Sequence, residues 1–149
     1  MLTSVEKVIL LKKIPVFENL GGEELLSISD IAIEQDFSPG EIIFRENSRG
    51  FELYIIIEGK VEISKKSESA GSSEKKKIIT VLGQFSYFGE MSLFEDSLHS
   101  ATATALDKVH CLIIPKEAFM DICMEYPTIS MEIIKIFSKR LRDTTTKLV

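Results

Sequence analysis

Between Ile33 and Pro115 the hydrophobic residues recur at every second position, and turn-forming residues close each short run. Val61 and Ile63 alternate with Lys60, Glu62 and Ser64; Ile79 and Val81 flank Thr80; Ala101, Ala103 and Ala105 alternate with Thr102 and Thr104. A period of two sends alternate side chains to opposite faces, so these runs read as half-buried strands. Ser38-Pro39-Gly40, Glu46 to Gly50 and Glu58-Gly59 carry turn chemistry, and Ser67 to Glu74, with four serines and a glycine, reads as a hairpin tip. No helical pattern separates consecutive strands. The expectation is an antiparallel barrel or jelly roll rather than a helix-covered parallel sheet.

The flanks follow a different period. Val5, Val8 and Ile9, then Leu25, Ile28 and Ile31, repeat at three and four residues and predict two short amphipathic helices, interrupted where Pro15 and Gly21-Gly22 break the pattern. After Lys116, Phe119, Ile122, Cys123 and Tyr126 predict a third helix; Pro127 ends it, and Ile129, Ile133, Ile136, Phe137 and Leu141 start a fourth. Lys139, Arg140 and Arg142 near its end complement the helix dipole and read as a solvated terminus. The organisation is a single domain over residues 1–149, with helices over 1–32, strands over 33–115 and helices over 116–149.

Composition narrows the function. A net charge of -5 argues against a nucleic-acid groove, which wants a concentrated basic stripe. No segment has the length and apolarity to cross a bilayer and no secretory leader is visible, so direct membrane insertion is not expected. Cys111 in an apolar strand and Cys123 in an apolar helical stripe read as inert buried thiols, which with the missing leader fits a cytoplasmic setting. Small-molecule or protein partners remain. The two histidines, His99 and His110, are too few and too isolated to supply the metal site of a jelly-roll enzyme, and His110 reads as a satisfied or edge histidine. Neither a nucleophile elbow nor a phosphate-binding Walker loop is present. No enzyme activity, metal or resident cofactor is expected.

The informative stretch is Phe85 to Ala103. Gly89 stands where a strand gives way to a helical turn, and main-chain N–H groups opening there would suit a phosphate. Glu90 could accept hydrogen bonds from sugar hydroxyls, and Ser100 and Ala101 are small enough for close approach to a bound group. The alanine-rich strand that follows is a poor strand former, consistent with space being needed inside the barrel. On shape alone, a packed loop before a small-residue strand explains the same residues equally well.

Gly89-Glu90-Met91-Ser92-Leu93 followed by His99-Ser100-Ala101-Thr102 resembles the phosphate-binding cassette of the cyclic nucleotide-binding domain family, here spanning residues 85–102. Pro39-Gly40-Glu41-Ile42-Ile43-Phe44-Arg45-Glu46 and Leu53 to Val61 are similar to two further family segments, and Val16 to Leu20 to its entrance loop. The resemblance covers the chain from about Val5 onward. It implies an eight-stranded antiparallel jelly-roll barrel with flanking helices and a pocket for cAMP or cGMP. It further implies main-chain contacts from Gly89, Met91 and Ser92 to the cyclic phosphate, Glu90 on the ribose 2'-hydroxyl, and Ala101 and Thr102 along the phosphate and base. The final helix, from Thr128, would relay occupancy to an effector domain or partner protein.

Two positions depart from that pattern. His99 stands where nucleotide-responsive members carry arginine; imidazole lacks the planar two-pronged fork and the permanent charge. Losing charge-assisted bonds to a partly buried anion costs on the order of 2 to 5 kcal/mol. Asn47 stands where many relatives have glycine, and asparagine tolerates the left-handed conformation that the turn needs. Two functions follow: a cyclic nucleotide sensor of weakened affinity in which protonated His99 partly replaces arginine, or a ligand-independent docking module on the same fold.

Overall fold

The computed structural model describes residues 1–66 and 75–148, with side chains at all of these except 91, 92 and 144–148. Chain contacts separate two compact units, Ala32–Lys116 and Met1–Ile31 together with Glu117–Val149. The hairpin tip expected at Ser67 to Glu74 lies outside the described residues.

The helical unit holds α1 (Ser4–Leu11), α2 (Gly22–Ile31), α4 (Lys116–Glu125) and α5 (Pro127–Leu148). Thr3 caps α1 in a reciprocal box: its side chain accepts from Glu6 N–H at 3.1 Å, and the Glu6 carboxylate accepts from Thr3 N–H at 3.1 Å. The face of α1 differs from the expected one. Val5 and Ile9 are exposed, and Leu10 and Leu11 are buried instead. The reason lies in the next segment, read from sequence as a mere interruption. Successive tight turns from Leu10 to Leu20 fold Ile14, Val16, Phe17 and Leu20 inward, so the connection itself is core and carries the end of α1 with it. Phe17 meets Phe119 of α4 with ring centroids 6.2 Å apart. Leu25 and Ile28 of α2 and Ile129 and Ile133 of α5 complete the buried set, as their spacing predicts.

The other unit is two four-stranded antiparallel sheets, the jelly-roll architecture expected. One has the order β1 (Ile33–Phe37), β8 (Val109–Pro115), β3 (Glu52–Glu58), β6 (Tyr87–Phe88); the other has the order β2 (Ile42–Phe44), β7 (Thr102–Ala105), β4 (Val61–Lys66), β5 (Lys76–Leu82). A single helical turn, α3 (Met91–Phe94), lies between β6 and β7. Phe37, Tyr54, Ile56, Val61, Phe88 and Ala103 belong to one buried cluster that draws on both sheets. β8 is apolar almost throughout because it pairs with β1 on one side and β3 on the other. The half-burial expected of Ile79 and Val81 is not met: β5 is exposed along nearly its whole length, because among the described residues it pairs with β4 alone and forms the sheet edge. Asn47 adopts φ 69°, the left-handed turn expected of it. Its N–H donates to the His99 carbonyl at 2.8 Å, and His99 N–H donates to the Ser48 carbonyl at 2.8 Å, so this turn is bound to the cassette.

Candidate functional site

The cassette is reached through a strained step. Phe85 takes φ 66°, a rare conformation for a bulky residue, held because its N–H donates to the Ile56 carbonyl at 2.8 Å while Ile56 N–H donates to the Ser86 carbonyl at 2.9 Å. Two residues of β6 follow, and then Gly89 turns the chain with φ 80°. A side chain at Gly89 would begin 3.0 Å from the Glu52 carbonyl and 3.3 Å from the Tyr54 ring, so glycine satisfies both the dihedral and the close approach to β3.

Beside this turn lies a cavity of about 550 Å³. Of the residues predicted from sequence, Gly89, Glu90, His99, Ser100 and Ala101 line it. Met91 and Ser92 open α3, but their side chains fall outside the described residues. Thr102 is not in the described lining; its Oγ1 accepts from Glu46 N–H at 2.9 Å, fastening β7 to the segment after β2. The walls were missed from sequence: Phe44, Ile63, Thr80, Leu82, Tyr87 and Phe88 bring apolar surface, and Glu95, Ser97 and Leu98 complete the rim. On β5 the alternation pointed to Ile79 and Val81 as the inward residues, whereas Thr80 and Leu82 are the ones that line the cavity. Nothing local marked Phe44, which reaches the cavity only because β2 pairs with β7.

His99 is buried, at 8% exposure, and its ring stacks on Phe44 with centroids 3.5 Å apart and planes 6° from parallel. Phe44 also contacts Tyr54 and Phe88, so the imidazole ends an aromatic row. Burial moves the His99 pKa below its ordinary value and favours the neutral ring at pH 7. No lysine or arginine is among the described lining residues, whereas two carboxylates, Glu90 and Glu95, are. An anion entering here must therefore rely on main-chain N–H groups, hydroxyls and His99.

His110 is apart from the cavity lining and is satisfied, as its strand position predicts. Its Nδ1 lies 2.5 Å from Asp36 Oδ1 and its Nε2 2.8 Å from Glu34 Oε1. Burial opposes its charge, but the hydrogen bonds and fields of these two carboxylates together outweigh that and hold its pKa above the ordinary value. Cys111 and Cys123 form no disulfide; burial raises both thiols, Cys111 to about 12. Among the described residues no three His, Cys, Asp or Glu side chains gather as a metal-ligand set.

Comparison with known proteins agrees with this geometry. The profile of the cyclic nucleotide-binding domain matches residues 34–126. A cGMP-dependent protein kinase, isozyme 2, from Drosophila melanogaster is 35% identical over 111 residues, which cover 73% of this chain and 12% of the kinase. A CRP-like cAMP-activated global transcriptional regulator of Mycobacterium tuberculosis is 26% identical over 93% of this chain and 60% of its own length. Among solved structures, the N-terminal domain of a transcriptional regulator from Streptomyces coelicolor superposes with TM-score 0.83 at 26% identity, covering 94% of this chain and 95% of that one. The chain thus spans less than two thirds of either curated relative's length.

Proposed function

Because the chain belongs to the cyclic nucleotide-binding domain family, we propose that its cavity takes cAMP or cGMP with weakened affinity at neutral pH, and that occupancy is relayed through the C-terminal helix to an effector domain or partner protein. The observation that carries this reading is that Gly89 and Glu90, and then His99, Ser100 and Ala101, two separate groups along the sequence, line one cavity of nucleotide scale. In this reading the main chain at Gly89, Met91 and Ser92 holds the cyclic phosphate, Glu90 takes the ribose hydroxyl, Ala101 and Thr102 run beside phosphate and base, and protonated His99 supplies the positive charge. The module performs no chemistry of its own, needs no resident cofactor and works in the cytoplasm.

The weakening follows from charge. A neutral imidazole stacked on Phe44, in a cavity whose lining also holds two glutamates, cannot offset a phosphate monoanion as a fixed guanidinium does. Millimolar cAMP or cGMP is therefore expected to raise the melting temperature more at about pH 5.5 than at about pH 8, since the imidazolium fraction falls as pH rises. No shift at either pH overturns the sensor reading. His99→Arg is expected to tighten nucleotide binding by about tenfold or more by isothermal calorimetry, the size of a regained charge-assisted bond. No gain in that variant places the defect elsewhere in the cavity.

The missing fixed cation favours a second reading, in which the barrel is kept as a ligand-independent docking module. Deleting the chain from Thr128 onward is then expected to abolish capture of the partner by the isolated protein without any dependence on nucleotide; unchanged capture removes the last helix from that role.

A further inference from the structure

The hairpin of β4 and β5 reverses the charge of the molecule. Residues 65–77 carry five lysines and two glutamates in a chain of net charge -5. The strand register sets Lys65 opposite Lys77 and Lys66 opposite Lys76, and like charges directly opposed across an antiparallel pair destabilise it. Only Lys76 is relieved, by the buried Glu62 carboxylate 2.5 Å away; Lys65, Lys66, Lys75 and Lys77 make no ion pair among the described residues. The same edge strand leaves Ile78, Ile79 and Val81 exposed at 54%, 49% and 47%. Lysines without an ion pair among the described residues and exposed aliphatics thus meet on one pair of strands.

We propose that this hairpin is a peripheral docking surface for an anionic lipid bilayer. Three features favour a lipid surface over other acidic partners. The register slips between Ile63 and Ser64, a bulge that together with edge lysines discourages addition of another strand. The cations are all lysines, hydrated point charges without arginine's fork, which suits a diffuse field of headgroups better than one placed carboxylate or phosphate. The apolar residues beside them are aliphatic, which fits the headgroup boundary, whereas a single-stranded nucleic acid would want stacking aromatics. The attachment is superficial: no helix among the described residues is long and apolar enough to cross a membrane.

The test is co-sedimentation of the full chain with vesicles of phosphatidylserine mixed into phosphatidylcholine, against phosphatidylcholine alone. Binding is expected only to the anionic vesicles, and to be lost at high salt. Each lysine near such a surface is worth about fivefold in affinity, so Lys66→Gln with Lys77→Gln is expected to weaken binding by about tenfold or more, with an unchanged or higher melting temperature. Ile79→Ser with Val81→Ser is expected to weaken it several-fold while leaving the salt dependence; if that variant does not fold, the lysine pair decides. No vesicle binding, equal binding to both vesicle types, or retention on polyglutamate or duplex DNA without vesicle binding overturns the proposal.

Discussion

Gly89 and the two histidines show how differently single residues of one type or one motif are used. Gly89 combines a positive φ with a Cβ position that meets the Glu52 carbonyl, and neither constraint can relax without moving β3. Gly89→Ala is therefore expected to lower unfolding free energy by about 1 to 3 kcal/mol in chemical denaturation; an unchanged midpoint would refute the strain argument. The histidines act on stability with opposite signs. His110 has a raised native pKa, so its pairing with Asp36 and Glu34 stabilises fully below the unfolded value of about 6.5 and fades as pH rises through the native pKa. The stability difference between the natural protein and His110→Gln should be largest in acid and shrink on the alkaline side. His99 has a lowered native pKa, so its burial costs stability as pH falls below about 6.5, and His99→Phe should flatten that acid-side loss in melting scans. Sequence distinguished the two only in part. The strand alternation suggested a satisfied His110, but its carboxylate partners sit 74 and 76 residues away on β1.

Elements follow the same division between local pattern and non-local neighbour. β3 and β8 are paired on both sides and buried, whereas β5 has one partner among the described residues and is exposed. Hydrogen exchange is expected to be slowest in Glu52–Glu58 and Val109–Pro115 and orders of magnitude faster in Lys76–Leu82; comparable protection in β5 would contradict its edge position. α1 is short, and its start rests on the Thr3 and Glu6 box. Thr3→Ala is expected to cost about 1 kcal/mol of helix stability, read as faster exchange confined to Ser4–Leu11. Element type was legible because the period of the apolar residues changes from three or four to two and back. The buried face of α1 and the exposure of β5 were not, because each depends on what lies against the element. The turns at Ile14 to Leu20 pull Leu10 and Leu11 inward, and the sheet edge leaves Ile78 to Val81 uncovered.

At the scale of the whole molecule, stability owes nothing to cross-links. Neither cysteine is bonded to another, and the buried Cys111 thiol, raised to about 12, is not a reactive thiolate near neutral pH. Reductant is expected to leave the melting temperature unchanged, and a fall on reduction would reveal a bond absent from this structure. The chain alone determined that short antiparallel strands occupy its centre and helices its ends, that Gly89 stands where a strand gives way to a helical turn, and that position 99 carries imidazole rather than guanidinium. These follow from period, turn chemistry and residue type, which are properties of neighbours in sequence. Only the tertiary structure decided which side chains share the cavity. Phe44 against His99, Thr80 and Leu82 across from them, and Thr102 fastened to Glu46 from 56 residues away are set by strand order and register. The free energy that selects that register is the burial of both sheets' apolar faces together, a sum over distant residues that no local window contains.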